Sequence, residues 1–214
     1  MEAQIIRGII LIIPLLMAVT IHEVAHGYAA LKFGDPTAKL AGRLTLNPIN
    51  HLDPFGSILL PGLLIFSGAP FVFGYAKPVP VNFHNLTDQR IGTIVVSAAG
   101  VAANLACAVA AGILYQLLYM FPMLINSLPA VIITLVEVFC LINIVLAIFN
   151  LIPIPPLDGS RILAVLMPPG ARQTYESIGP FGILIVLVLL IMTDVLDLLF
   201  DYLVKPLFII MTGG

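Results

Sequence analysis

Residues 9–30 read IILIIPLLMAVTIHEVAHGYAA. The stretch is apolar for most of its length and then sets His22, Glu23 and His26 in its far half. A helix needs roughly 20 apolar residues to cross a hydrocarbon core about 30 Å thick. The pattern predicts a transmembrane helix over about Ile5 to Ala30. An ionisable side chain deep in a membrane helix costs roughly 2.5 kcal/mol or more, so such groups are functional by default. His22-Glu23-Val24-Ala25-His26 is an H-E-x-x-H pattern. A spacing of four puts both imidazoles on one helix face, one turn apart, which suits two ligands of a tetrahedral zinc. Glu23 is beside the ligand pair without belonging to it. There it can take a proton from an activated water and return it to a leaving amine. The competing reading is a structural polar cluster, and the membrane setting disfavours it.

Outward from that helix the whole chain has the same character. Of its 214 residues 60% are hydrophobic and only 9% are charged, against about one quarter charged in a soluble domain. Pro54 to Ala76, Ile91 to Val136 and Val138 to Leu157 contain no Asp, Glu, Lys or Arg. These runs exclude a soluble globular protein, a disordered chain and a disulfide-stapled secreted domain. They are also too long and continuous for a transmembrane β-barrel, whose strands are short and alternate. A net charge of -2 predicts no nucleic-acid partner. Cys107 and Cys140 lie inside apolar runs and read as buried small hydrophobes. The N-terminus lacks the charged start and small-residue exit of a cleaved signal peptide, so helix 1 is expected to be retained.

The predicted architecture is an all-α polytopic membrane protein in a single domain, residues 1–214. It has about four spanning helices plus a re-entrant or interfacial segment with a short β-hairpin-like stretch. After helix 1 comes a polar loop, Lys32 to Asp53, punctuated by Asp35-Pro36, Asn47-Pro48 and Asp53-Pro54. Gly56 to Phe73 is apolar but interrupted by Pro61-Gly62, Gly68 and Pro70. Gly74 to Asn82 is extended, its prolines suiting an edge strand. Helix 2 is expected over about Asp88 to Tyr119, with Gly92, Ala99, Gly100, Ala103 and Ala106 giving a small-residue face for close packing. Phe121 to Pro129 is a short connection. Helix 3 covers about Ala130 to Asn150 and breaks at Leu151 to Pro156. A short helix, Gly159 to Leu166, a polar loop, Met167 to Glu176, and helix 4, about Ile178 to Phe200, complete the chain.

A zinc hydrolase keeps three protein ligands and one open position. Asp158, in Pro155-Pro156-Leu157-Asp158-Gly159 where helix 3 breaks, is the expected third ligand. The alternative is an Asp that caps the short helix beginning at Gly159.

His22-Glu23-Val24-Ala25-His26, the Asn150-Leu151-Ile152-Pro153 turn and Leu157-Asp158-Gly159 resemble the site-2 protease family of intramembrane zinc metalloproteases. That family pairs H-E-x-x-H in one membrane helix with N-x-x-P-x-x-x-L-D-G in another. Gly100-Val101-Ala102-Ala103-Asn104 is similar to its G-x-x-x-N element. Asn47 to Pro54 and Gly74 to Pro80 resemble the compact prokaryotic branch, which lacks a PDZ domain. Two departures are Tyr75 where Trp is expected and Val101 where Pro is frequent. The resemblance implies one zinc per chain held by His22, His26 and Asp158, with Glu23 as general base. It also implies a supporting or substrate-holding role for Asn104 and Asn150. A buried Asn offers two donor hydrogens and one acceptor oxygen and can bind a peptide carbonyl or the oxyanion formed on it. Helix–helix glue is the competing role for both. His51 lies in a family-like stretch and is a candidate near-site residue; His84 is given no role.

Depth and charge then set orientation. From Arg7, His22 lies about 22 Å and His26 about 28 Å along helix 1, and Asn150 lies about 30 Å along helix 3 from Ala130. Helices 1 and 3 must therefore run parallel, helix 2 must run opposite, and the chain from Lys32 to Arg90 must leave and re-enter on one side. Lys32, Lys39, Arg43, Lys77, Arg90, Arg161 and Arg172 fall on the face with the metal; Arg7 and Lys205 fall on the other. The positive-inside rule makes the metal face cytoplasmic. The expected protein is a multi-pass integral protein of a prokaryotic cell membrane. It is expected to hydrolyse peptide bonds in or near transmembrane segments of membrane-protein substrates, with the lipid bilayer as its other partner. The rival readings are a metal-ion transporter using the same His/His/Asp site and a non-catalytic relative that binds membrane proteins.

Overall fold

The computed structural model describes residues 2–59, 63, 66 and 77–214. Those residues are largely helical, with no β-strand among them. We number the helices α1 Glu2–Lys32, α2 Thr37–Leu40, α3 Gln89–Met120, α4 Pro122–Ser127 and α5 Ala130–Asn150. The remainder are α6 Asp158–Leu166, α7 Pro169–Glu176, α8 Gly179–Met192, α9 Val195–Leu199 and α10 Lys205–Thr212. Ile10–Lys32, Gln89–Met120 and Ala130–Asn150 are long and apolar enough to cross a membrane. The predicted helices 1 to 3 correspond to α1, α3 and α5.

Small residues bring these three helices together. On α1, Ala18, His22, His26 and Ala30 recur every four residues and are all buried, a single stripe along one face. It faces the Val96, Ser97, Gly100 and Asn104 side of α3. The side-chain partners fix direction: Asn104 bonds to Ala18 and His22, whereas Val96 bonds to His26. Rising numbers on α1 meet falling numbers on α3, so the pair is antiparallel. Asn104 meets Asn143 and Ala108 meets Cys140, which makes α3 and α5 antiparallel as well. The parallel course of α1 and α5 expected from motif depth follows. Ala108, Ala111, Cys140, Ile144, Ile148 and Val204 form the apolar core beside the polar stripe.

The start of α3 is tied to the end of α1. Asp88 caps α3 by accepting from the Ile91 N–H at 2.8 Å, and the Thr87 N–H donates to the Phe33 carbonyl at 2.8 Å. Ala30, Leu86 and Val96 pack below this junction. The chain therefore does leave and return on one side. Most of Gly56 to Phe73 and the start of the hairpin-like stretch lie outside the described residues. Residues 77–82 belong to no helix or strand, with Asn82 in an extended conformation, φ -101° and ψ 97°.

The predicted fourth helix is divided. α8 ends at Met192 and Thr193 is extended, φ -137° and ψ 159°. The Thr193 hydroxyl donates to the Leu189 carbonyl at 2.5 Å. Asp194, Asp197 and Asp201 follow in the next pieces, where a membrane interior would disfavour them.

Candidate metal centre

α1 contributes both imidazoles from one face because they are four residues apart. Their Nε2 atoms are 3.0 Å apart. Asp158, the first residue of α6, brings its Oδ2 to 3.2 Å from His22 Nε2 and 3.3 Å from His26 Nε2. The N-cap position of α6 is Leu157 and Asp158 lies inside the first turn, so Asp158 is not the residue that caps the helix. These three atoms form the one group of potential metal-ligand side chains among the described residues.

The proton pattern decides what this cluster wants. His22 Nδ1–H donates to Asn104 Oδ1 at 2.5 Å. His26 Nδ1–H donates to the Val96 carbonyl at 2.7 Å. The neutral form of an imidazole carries one N–H; in that form these bonds leave both Nε2 lone pairs directed at each other and at the carboxylate. Asp158 Oδ2 is buried and accepts no hydrogen bond. Tetrahedral zinc with N and O ligands at 2.0–2.1 Å separates donor atoms by about 3.3 Å. The set fits that ion in chemistry and in spacing.

Gly100 makes room for it. A Cβ at that position would lie 2.5 Å from His22 Cε1 and 2.5 Å from His26 Nε2, so only glycine lets α3 pass behind the rings.

The open side of the cluster is a cavity of about 470 Å³ lined by His22, Glu23, His26, Asn150, Asp158 and Arg161, and by residues 78–81. Glu23 points to it and accepts from the Val79 N–H through Oε2 at 2.7 Å. Asn150 lines it too, with Nδ2 donating to the Leu146 carbonyl of its own helix at 3.0 Å. Arg161 stacks over the Phe83 ring, 4.8 Å to the centroid.

A profile of Peptidase family M50 matches residues 120–193. Over 182 residues the chain is 41% identical to a Bacillus subtilis (strain 168) protein named "Putative zinc metalloprotease YwhC", covering 85% of this chain and 80% of that one. The chain belongs to the M50 peptidase family. "Putative zinc metalloprotease Rip2" of Mycolicibacterium smegmatis is 33% identical over 183 residues, 86% of this chain and 67% of its own length. No solved structure matches. The M50 chain is thus a zinc metalloprotease with zinc as its cofactor, and neither the transporter nor the binding-protein reading is favoured.

The other expected residues separate by place. Asn104 is fully buried behind His22 and does not line the cavity. Its Nδ2 donates to Asn143 Oδ1 at 2.8 Å and to the Ala18 carbonyl at 3.3 Å. His51 is buried but lines no part of the cavity. Its Nε2–H donates to the Thr45 carbonyl at 2.9 Å, and its own carbonyl accepts from the Lys77 N–H at 2.9 Å. It anchors the extended segment that faces the site.

Three residues escaped the sequence reading. Asn143 is one, and its signal was present: a polar side chain within the charge-free run Val138 to Leu157. Arg43 donates to the Asn50 carbonyl, to the Lys77 carbonyl at 2.9 Å and to the Pro78 carbonyl at 3.3 Å. Asp35, read only as part of a breaker, accepts from the Asn82 N–H at 2.7 Å, Asn85 Nδ2 at 2.8 Å and the Thr37 hydroxyl at 2.5 Å. Burial works against ionisation of Asp35, but the donors on Thr37, Asn85 and Asn82 outweigh it and hold its carboxyl below the ordinary value.

Proposed function

We propose that this metalloprotease cuts peptide bonds in or at the edge of transmembrane segments of membrane proteins, with the reaction near the cytoplasmic face. The observation that carries the reading is the His22, His26 and Asp158 cluster opening onto a cavity at one end of three helices able to span a bilayer. His22, His26 and Asp158 hold zinc, which when bound polarises a scissile carbonyl and lowers the pKa of a water. Glu23 accepts the proton of the attacking water as its oxygen bonds to the carbonyl carbon. It then delivers that proton to the amide nitrogen as the C–N bond breaks. Asn150 is the amide on the cavity side and serves the substrate carbonyl or its oxyanion; Asn104 serves the His22 ring.

A helical substrate hides its carbonyls, so it must be extended before cleavage. Lys77 to Val81 supplies an extended edge for main-chain pairing with an unwound segment. The Lys/Arg distribution supports a cytoplasmic metal face.

The test uses purified protein in liposomes with a single-span substrate, and the cut site is read by mass spectrometry. Cleavage within or bordering the apolar span is expected, and cutting confined to distant soluble flanks would overturn the intramembrane reading. Cysteines introduced at Lys39 and Arg172 should label only from the cytoplasmic side, and one at Ser127 only from outside. Outside labelling at Lys39 would reverse the orientation.

A further inference from the structure

We propose that Asn143 is a positioning residue for the metal centre. Acting through Asn104, it holds His22 in the tautomer that leaves Nε2 bare toward His26 and Asp158. The proposal rests on the reading of His22 as a zinc ligand.

The chain of bonds has one consistent direction. Asn143 Nδ2 donates at 2.8 Å to the Phe139 carbonyl, one helical turn earlier. A main-chain carbonyl can only accept, so the amide group of Asn143 is fixed with Oδ1 toward Asn104. Asn104 must then present Nδ2 to that oxygen at 2.8 Å and to the Ala18 carbonyl at 3.3 Å. Only its Oδ1 remains for His22, at 2.5 Å from Nδ1. An acceptor there requires the ring proton on Nδ1. Neither Asn143 nor Asn104 has any solvent exposure, so no water replaces a lost member, and buried networks are costly when half satisfied.

The two histidines differ in how this is achieved. His26 reads a main-chain carbonyl, Val96, which no side-chain substitution can rotate. His22 depends on two rotatable amides. With Leu at position 143, Asn104 loses its 2.8 Å acceptor and keeps only the longer 3.3 Å bond to the Ala18 carbonyl against turning Nδ2 toward the ring. That turn places a lone pair on Nδ1 and a proton on Nε2, where the metal must bind.

The experiment uses the full-length protein in detergent micelles, stripped of metal and labelled with ¹⁵N at histidine. The His22 signals are identified by their loss in His22→Gln. Wild-type His22 should be protonated at Nδ1. In Asn143→Leu the population should move to Nε2–H, with His26 unchanged as an internal control. Zinc affinity, measured against a competing chelator, should fall by about 10- to 100-fold, the usual effect of losing an outer partner of a ligand. Asn143→Asp in its protonated form can donate its O–H to Phe139 and offer its C=O to Asn104, and should keep the wild-type tautomer and affinity. Should the leucine variant not fold, Asn143→Ser gives the same comparison. Wild-type His22 carrying its proton on Nε2 would overturn the proposal. So would Asn143→Leu protein with wild-type tautomer and affinity. Failure of the ligand reading looks different: His22→Gln would leave zinc affinity unchanged.

Discussion

Behind His22 stand Asn104 and Asn143, side chains without solvent exposure on two long helices. In front of Glu23 stands Val79, in a segment that belongs to no helix or strand. The back is joined side chain to side chain through the bundle. The front is joined by main-chain groups of residues 77–82 to Glu23, Asp35, Arg43 and His51, which come from α1 and the loops after it. A zinc site needs its ligands held in one geometry, and packed helices deliver that. A protease cleft must admit a chain of variable sequence, and an extended segment held by separable bonds suits it. Both regions meet one helix, α1: the Nδ1 edges of His22 and His26 face the back, and Glu23 faces the front.

The largest effects should come from the metal. Stripping zinc with a chelator should abolish cleavage, and added zinc should restore it. His22→Ala, His26→Ala and Asp158→Ala should each lower the zinc content of purified protein. Undiminished zinc in Asp158→Ala would remove that residue from the set.

Next comes Glu23→Gln, which keeps size and can still accept from the Val79 N–H but cannot take a proton. Cleavage should fall by at least about 100-fold, the scale of a lost general base, at unchanged zinc content. Near-normal cleavage by zinc-loaded protein would mean that another group is the base.

Two glycines sharpen the contrast of back and front. Gly100→Ala sets a methyl 2.5 Å from two ring atoms held by hydrogen bonds and should weaken zinc binding about 10-fold or more. At Gly27 the added carbon would meet Leu44 Cδ2 at 2.5 Å, Val79 Cγ1 at 2.9 Å and Ala38 Cβ at 3.1 Å, none of them part of the His22, His26 and Asp158 cluster. Gly27→Ala should leave zinc affinity near wild type and raise KM instead. Equal zinc affinity in the two variants would dissolve the distinction.

The smallest effect concerns acid. The Asp35 carboxyl titrates below its ordinary value, so its contribution to the fold is fully present above about pH 3.9. That contribution is lost as pH falls through the lowered value. The protection factor of the Asn82 amide, taken against the intrinsic exchange rate at each pH, should fall over that range in wild type. Asp35→Asn should show the lower protection already at neutral pH. Exchange at Asn82 that ignores both changes would show that Asp35 does not hold the segment.

The three long helices were legible because membrane burial demands continuous apolar runs, a signal that needs no knowledge of neighbours. The breaks around Thr193 were not, since no Pro or Gly marks them. That His22, His26 and Asp158 would meet was legible because ionisable groups at depth are expensive and the four-residue spacing puts both imidazoles on one helix face.

What the residues alone determined was therefore local: which segments suit lipid, which face of α1 bears two imidazoles, and which acid stands at a helix break. The tertiary structure decided which polar groups meet. Asn104 and Asn150 look alike in sequence, yet one is sealed behind His22 and the other lines the cavity. Asn143 gains its place only through a contact with a residue 39 positions away. The physical reason is that a side-chain amide has no preferred partner until packing removes water and leaves it only certain donors and acceptors.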